Sequence, residues 1–378
     1  MSKYKIAVLP GDGIGKDTIE AAINVLDAVG FSEKAEYTYG DIGWEFWCNE
    51  GNPLPDRTID LLKESTCSLF GAITSKPKDE AAKELKPELH NKGLVYFSPI
   101  VKLRQLFDLY VNLRPCKAYL GNPLNFRDDI DLVVFRENTE GLYVGIEWHP
   151  VPEAVMKTIV ENHPKAKRFA EANLDDVAIS TRIFTRDGVQ RILKASMDYA
   201  KKFAYPTVAV VEKPNVIRET SGMMIREARK LIENYEDVEL WETNIDAMAM
   251  WLVKNPQNYG VLVASNMFGD IVSDLAAQLI GGLGFACSGN IGEKFAVFEP
   301  THGSAPKYVG MNKVNPIATI LAAKMMLDWL GENDLAQKIE EAVAAVIAEG
   351  KARTYDMGGV TTTSGMAEAI CKKIAELN

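Results

Sequence analysis

Residues 6–29, IAVLPGDGIGKDTIEAAINVLDAV, pass from an apolar run through a glycine-rich turn into helical spacing. This order of strand, turn and helix predicts the first unit of an α/β fold. A dinucleotide-binding turn needs G-x-G-x-x-G, but residues 11–15 are one residue short, and Asp12 would repel a pyrophosphate. The acidic Asp41 follows residues 36–40, EYTYG, which make a poor buried parallel strand. The stretch is interpreted as a tight structural turn, so a cofactor site must lie elsewhere.

Along the rest of the chain, short runs of β-branched residues alternate with amphipathic segments. This pattern is typical of an α/β protein whose helices cover a sheet. Strands are predicted at 5–10, 67–73, 131–137, 176–184, 207–213, 238–245, 259–265 and 295–303. Helices are predicted at 16–30, 56–65, 187–203, 219–235, 246–256, 270–284, 316–331 and 334–350. No internal repeat or flexible linker stands out.

The composition argues against several classes of partner and of binding site. The 378 residues are 47% hydrophobic and carry a net charge of -10, which argues against a nucleic-acid partner. No apolar run reaches the roughly 18 residues of a membrane span, so no membrane partner is expected. The chain begins almost directly with a strand, which predicts no leader and a cytoplasmic location. Five scattered cysteines without a C-x-x-C pair argue against disulfides and zinc: Cys48, Cys67, Cys116, Cys287 and Cys371.

Three aspartates follow predicted strands. Asp270 and Asp274 are four residues apart, on one face of the first turns of a helix expected to begin near Gly269. Asp246 opens another, otherwise apolar, helix. Such carboxylates are either capping and solvated residues or oxygen ligands for Mg²⁺ or Mn²⁺.

Candidate binding and acid–base residues interrupt apolar sequence. Arg104, Arg114 and Arg136 suit two-point contacts with carboxylates, so together with a metal they would form a pocket for a small polycarboxylate. Any one of them alone is more typical of a structural ion pair. Lys213 and Tyr143 could serve as general base and general acid, or as a surface lysine and a packed aromatic.

The segment 298–316, FEPTHGSAPKYVGMNKVNP, is expected to form a long loop. Its small residues let backbone N–H groups approach phosphate oxygens, and its polar residues suit a base and an extra phosphate. The alternative is a surface loop without a ligand. The candidate cofactor residues here are His302, Gly303, Ser304, Ala305, Lys307, Tyr308 and Asn315.

Six motifs in order resemble the β-decarboxylating dehydrogenases of isocitrate, isopropylmalate, homoisocitrate and tartrate. They are PGDGIG, LFDLYVNLRP, FRENTEGLYVG, KPNV, MFGDIVSDLAAQLIGGLG and EPTHGSAPKY. The resemblance implies an isocitrate/isopropylmalate dehydrogenase-like α/β fold that is not a Rossmann fold, with two domains flanking an active-site cleft. Residues 1–108 plus 281–378 would form the large domain with the cofactor loop. Residues 109–280 would form the small domain with the dimer interface, and PGDGIG would border the cleft.

The resemblance also implies a mechanism. A 2-hydroxy acid binds Mg²⁺ or Mn²⁺, passes a hydride from C2 to the nicotinamide and then loses CO₂, with the metal stabilising the enolate. Asp246, Asp270 and Asp274 would hold the metal. Lys213 would assist deprotonation of the hydroxyl, Tyr143 would protonate the enol, and Arg104, Arg114 and Arg136 would clamp the carboxylates. Lys213 and Asp246 would come from the partner subunit, so a homodimer is part of the expectation.

The cofactor loop favours NADP. NAD-dependent relatives usually carry an acidic residue after HGSAP, whereas this chain has Lys307 and Tyr308, with Val314 and Tyr355 also matching bacterial NADP-dependent isocitrate enzymes. Lysine and tyrosine attract a 2′-phosphate that a carboxylate would repel. One departure is Gly359, where those enzymes place a second basic residue.

For the substrate, Ser98 matches the serine that binds the third carboxylate of isocitrate, while Ile100 stands where isocitrate enzymes often have asparagine. Isocitrate is the expected substrate. Homoisocitrate or 3-isopropylmalate with NAD is the alternative. Two further alternatives are a regulatory subunit of the same fold and a Rossmann-type nucleotide-binding module.

Overall fold

The computed structural model describes residues 3–377; Met1, Ser2 and Asn378, at the ends of the expected large domain, lie outside them. The strands are β1 (Tyr4–Gly11), β2 (Ala35–Tyr39), β3 (Cys67–Ala72), β4 (Val111–Lys117), β5 (Asp131–Glu137), β6 (Glu147–Trp148), β7 (Ile179–Ser180), β8 (Thr207–Glu212), β9 (Glu239–Asn244), β10 (Val261–Ala264), β11 (Cys287–Ile291) and β12 (Ala296–Pro300). The helices are α1 (Gly15–Ala28), α2 (Trp44–Glu50), α3 (Asp56–Glu64), α4 (Lys78–Lys83), α5 (Pro99–Leu106), α6 (Glu153–Asn162), α7 (Arg186–Lys202), α8 (Thr220–Leu231), α9 (Ile245–Lys254), α10 (Asn266–Leu279), α11 (Ile317–Leu330), α12 (Asn333–Glu349) and α13 (Thr363–Leu377).

A ten-stranded sheet runs through the described residues in the order β2-β1-β3-β12-β11-β4-β5-β10-β8-β9. Two parallel blocks, β2-β1-β3-β12 and β5-β10-β8-β9, are joined through the antiparallel neighbours β11 and β4. This order differs from the 3-2-1-4-5-6 order of a Rossmann sheet. The predicted α/β class is confirmed, and the strand order excludes the Rossmann-type alternative.

The two halves of the sheet correspond to the two expected domains: β1, β2, β3, β11 and β12 come from residues 1–108 and 281–378, and the others from 109–280. A continuous hydrophobic cluster nevertheless includes Val8 on β1, Val134 on β5 and Val210 on β8. The division into domains therefore stays a prediction.

Several elements differ from the predicted ones. The sequence pattern did not predict β4 or β11, which are both rich in polar residues, nor the helices α5 and α13. The segment 35–39 is a strand after all, but at the exposed edge of the sheet beside β1. Of the predicted strand 176–184, Ile179–Ser180 pairs with β6, and Ile183 forms a single antiparallel bridge with Gly141.

Among residues 3–377, no helix combines the length and apolar character that a bilayer crossing requires. The cytoplasmic location stays a prediction.

The glycine-rich turn after β1 is hydrogen-bonded to several other loops. The buried Asp12 carboxylate accepts the backbone N–H groups of Trp44 and Thr74, with N···O distances of 2.8 Å. The Thr74 hydroxyl lies 2.6 Å from the Ser304 hydroxyl, and the Ile14 N–H donates to the Ser304 carbonyl at 3.0 Å. Burial raises the Asp12 pKa despite these bonds. The turn therefore holds the cofactor-loop segment by hydrogen bonds.

Replacement of Asp12 by alanine should lower the free energy of unfolding by about 1–3 kcal/mol, because two buried N–H groups lose their acceptor. Urea denaturation followed by circular dichroism measures the change. Asp60→Ala, on the exposed face of α3, is the control and should stay within about 0.5 kcal/mol of the wild type. Equal effects of the two substitutions would contradict the role of Asp12.

Candidate active site

Helix α10 carries two of the predicted metal ligands. It begins at Asn266, three residues before the predicted start near Gly269, so Asp270 lies in its second turn. The earlier start arises because Ser265 ends β10 in an extended conformation and its carbonyl accepts the Gly269 N–H. Asp270 and Asp274 do lie on one face, as predicted, and both contact the same arginine.

Arg114 and Arg136 reach α10 from the neighbouring strands β4 and β5. Arg114 Nη1 donates to Asp274 Oδ1 at 2.9 Å, and its Nη2 lies 3.5 Å from Asp270 Oδ1. Arg136 forms an ion pair with Asp270 and donates to Asn266 Oδ1 at 2.9 Å. Two buried guanidinium groups therefore converge on one carboxylate.

Arg104 joins this cluster through asparagine side chains. Its Nε donates to Asn290 Oδ1 at 2.9 Å, and its Nη2 lies 3.4 Å from Glu299 Oε1. Asn112 bridges the arginines, since it donates to Asn290 at 2.9 Å and accepts from Arg114 Nε at 2.7 Å. The sequence analysis missed both asparagines; their signal was a polar residue alternating with apolar ones inside β4 and β11.

Three guanidinium groups and three carboxylates, those of Asp270, Asp274 and Glu299, meet in the cluster. Burial, reinforced by the charge of Arg114, lowers the Arg136 pKa to about 10, and burial also lowers the Arg104 pKa. The Arg136 Nε atom is buried and has no hydrogen-bond partner among the described residues. An anion placed here would satisfy donors and relieve repulsion, so the site suits a substrate with several carboxylates.

Tyr143 lies at the open side of the cluster. Its hydroxyl donates to Asp270 Oδ2 at 3.2 Å, and its ring centroid lies 5.5 Å from the Arg136 guanidinium carbon. Burial and the nearby Asp270 charge raise the Tyr143 pKa, so the phenol is protonated at neutral pH. The side chain is 46% exposed and free to meet a ligand.

Lys213 and Asp246 form a separate pair. The Lys213 ammonium contacts the Asp246 carboxylate and lowers its pKa, but neither side chain has a contact with Asp270, Asp274 or the arginines. Lys213 follows Glu212, a fully buried residue that pairs with Arg182 at 2.9 Å. Sequence reasoning missed this buried pair, which fixes the end of β8 behind Lys213.

The carboxylates fit a hard divalent cation only in part. Asp270 and Asp274 supply the oxygen donors that Mg²⁺ and Mn²⁺ prefer. Within residues 3–377, no group of three or more potential metal ligands comes together. The structure brings Asp270 and Asp274 to the same arginine and leaves Asp246 in its separate pair with Lys213.

The predicted cofactor loop begins at the end of β12. Glu299, which contacts Arg104, lies one residue before this point. Ala305 adopts a left-handed conformation (φ 37°), and Ser304 is buried against the turn that follows β1. The His302 Nε2 atom is buried and has no hydrogen-bond partner within residues 3–377, and burial lowers the His302 pKa, so the ring is neutral. A Cβ added at Gly303 would meet only the Ile73 carbonyl oxygen, at 3.9 Å. These features suit a nucleotide lying along the loop.

The far end of the loop carries aromatic and cationic side chains. The rings of Tyr308 and Tyr355 lie 5.3 Å apart, and the Lys307 ammonium is 4.8 Å from the centre of the Tyr308 ring. The Asn315 side chain already makes hydrogen bonds within the fold, because it donates to Asp356 and accepts the Ile317 N–H. One amide N–H and one oxygen lone pair of this side chain are left for its predicted contact with a base.

The predicted substrate-selecting residues lie at the start of α5. Ser98 is the residue before the helix, is half-buried, and makes no side-chain capping bond. Ile100 packs against the small hydrophobic cluster around Leu103 and Leu109. Arg104 lies in the last turn of the same helix, so Ser98 and Arg104 are presented by one rigid element.

A cavity of about 700 Å³ lies on the other face of the sheet. It is lined by Val111 and Leu113 of β4, whereas Asn112 and Arg114 point to α10, as the two-residue period of a strand requires. The cavity is therefore not the site of the arginine cluster.

The model of the isocitrate/isopropylmalate dehydrogenase family matches residues 5–370. The chain belongs to this family. As a member it is a decarboxylating dehydrogenase, and its fold is that of the family.

Three proteins illustrate the family relationship. The 3-isopropylmalate/3-methylmalate dehydrogenase of Methanocaldococcus jannaschii is 39% identical, with 99% of each chain covered. A solved isocitrate dehydrogenase from Methylococcus capsulatus has a TM-score of 0.84 at 36% identity, covering 98% of this chain and 99% of that one. Protein DlpA of Legionella pneumophila is 40% identical over 99% of this chain, which spans 59% of the length of DlpA.

Asp270→Asn should lower kcat by on the order of 10²-fold or more, because the neutral amide loses the charge on which Arg114, Arg136 and Tyr143 converge. Steady-state kinetics with Mn²⁺ measures the loss, and thermal unfolding checks that the fold is intact. Asp60→Asn on α3 is the matched control. Turnover at the wild-type level in Asp270→Asn would remove this residue from the site.

Proposed function

We propose that the protein catalyses the metal-dependent oxidative decarboxylation of isocitrate to 2-oxoglutarate and CO₂ with reduction of NADP. The observation that carries the proposal is the convergence of Arg114, Arg136 and Tyr143 on Asp270. In this proposal the arginines clamp the substrate carboxylates, Tyr143 donates a proton and Asp270 binds the metal; the four side chains belong to one hydrogen-bonded group. The guanidinium groups suit two-point contacts with the carboxylates of a small polycarboxylate.

The roles follow from the positions of the side chains. Arg104, Arg114 and Arg136 hold the substrate carboxylates by charge-assisted hydrogen bonds. When bound, Mg²⁺ or Mn²⁺ would supply Lewis-acid polarisation and a nicotinamide cofactor would supply the hydride acceptor. Tyr143 remains protonated beside Asp270 and donates a proton to the enol carbon, while Lys213 takes the proton of the substrate hydroxyl.

The proposal includes a homodimer with a shared site. Lys213 and Asp246 do not reach the arginine cluster of their own chain, so a second copy must supply them. Exposed apolar side chains on α9 and α10 favour this pairing: Met250 (55% exposed), Val253 (50%) and Ile271 (52%). These helices carry Asp246 and Asp270, so burying them against a second copy would bring the two half-sites near each other.

NADP is proposed as the cofactor on the chemistry of the loop. Lys307 and Tyr308 present a cation and a hydroxyl, and Tyr355 lies beside them. A regulatory subunit of the same fold is less well supported, because each proposed metal, proton-transfer and clamping residue is present.

A second candidate is the oxidation of homoisocitrate or 3-isopropylmalate with NAD. It is favoured by the apolar Ile100 beside Ser98 and by the name of the Methanocaldococcus relative. A panel of isocitrate, homoisocitrate, 3-isopropylmalate and tartrate with Mn²⁺ and each cofactor tests the substrate. Isocitrate with NADP⁺ should give the highest kcat/KM, and a higher value for another acid would overturn the assignment.

Lys307→Asp should raise KM for NADP⁺ by roughly tenfold to a hundredfold, because an attracting charge becomes a repelling one near the proposed phosphate. KM for NAD⁺, which has no phosphate there, should change little. Lys201→Asp, exposed at the end of α7, controls for net charge. Unchanged affinity for NADP⁺ in Lys307→Asp would remove the argument for this cofactor.

A further inference from the structure

A second lysine lies at the aromatic end of the cofactor loop. The Lys313 ammonium is 4.7 Å from the centre of the Tyr355 ring and 5.9 Å from that of Tyr308. Lys307 approaches the Tyr308 ring as well. Two cations therefore flank one pair of tyrosines, and only one of them is expected from the loop motif.

No carboxylate neutralises these cations. Within residues 3–377, neither Lys307 nor Lys313 forms an ion pair. The nearby Asp356 carboxylate accepts the Thr354 hydroxyl and lies 3.1 Å from Asn315 Nδ2. In a chain with a net charge of -10, two unpaired cations beside hydroxyl groups form a local anion site.

The backbone around Lys313 is held in place by α13. Asn312 has a left-handed conformation (φ 49°) and exchanges hydrogen bonds with Ser364 at 2.9 Å. On the other side, the buried Val314 carbonyl accepts the Thr363 hydroxyl at 2.7 Å. Lys313 is thus an exposed side chain on an anchored backbone, which limits the entropy lost when it binds a ligand.

Position 359 cannot supply the second cation in this backbone. A Cβ added at Gly359 would lie 2.1 Å from the Arg353 carbonyl oxygen and 2.5 Å from its Cβ. The Gly359 N–H also donates to the Thr354 carbonyl at 2.9 Å, which fixes this close approach. A side chain here would require the turn to move.

We propose that Lys313 binds the 2′-phosphate of NADP together with Lys307 and the hydroxyls of Tyr308 and Tyr355, and so replaces the basic residue absent at Gly359. This inference rests on the proposed use of NADP. It assigns to the anchored segment before α11 a role in choosing between the two cofactors.

Calorimetric titration of the full chain with 2′,5′-ADP and with 5′-ADP tests the inference, because the two probes differ in the position of one phosphate and only the first carries it at the 2′ oxygen. Lys313→Ala should raise Kd for 2′,5′-ADP by about tenfold and leave Kd for 5′-ADP unchanged. Lys313→Arg should keep the preference. Lys201→Ala is the control, and thermal unfolding reports whether each variant is folded.

The outcomes separate the two proposals. If the wild type binds both probes equally, the use of NADP and the role of Lys313 both fail. If the wild type prefers 2′,5′-ADP and Lys313→Ala keeps that preference, only the role of Lys313 is wrong. A loss of affinity for both probes in Lys313→Ala would likewise overturn the role, since it indicates an effect on the loop rather than on the phosphate.

Discussion

The buried ion pair between Arg136 and Asp270 is the interaction on which the site depends. It joins the end of β5 to the second turn of α10, and it sets the position of the carboxylate that Arg114 and Tyr143 also contact. A buried guanidinium without its partner carries a large desolvation cost, so the strand and the helix are held in one relative position.

The packing beneath this pair is equally restrictive. A Cβ at Gly269 would lie 2.7 Å from Arg136 Cβ and Cγ. The helix can approach β5 only because this residue has no side chain. The glycine at this position therefore sets the distance between the charges of Arg136 and Asp270. Nothing in the local helical pattern distinguishes it from any other small residue.

Residues close in sequence were the ones that sequence reasoning located well. The aspartates of α10 were placed on one face because a four-residue spacing on a helix fixes their relation, even though the start of the helix was misplaced by three residues. The alternation of strands and helices could also be predicted from the sequence. The family resemblance supplied the rest of the site as a set of expectations.

Contacts between distant segments were not predictable in this way. β4 and β11 alternate polar and apolar residues, and their asparagines join only because these two antiparallel strands bring Asn112 and Asn290 side by side. The pairing of Lys313 with Tyr355 likewise depends on the way α13 anchors the loop. No pattern in either segment indicates the other.

The turn after β1 shows that one glycine signature can arise from two physical causes. Gly13 has φ 57°, and a Cβ there would lie 2.2 Å from the Ser304 carbonyl oxygen. Glycines cluster wherever something must come close to the main chain, whether it is a phosphate group or another stretch of polypeptide. The number of glycines shows that some group approaches the main chain closely, but not which group it is. In this protein the group is the protein's own loop.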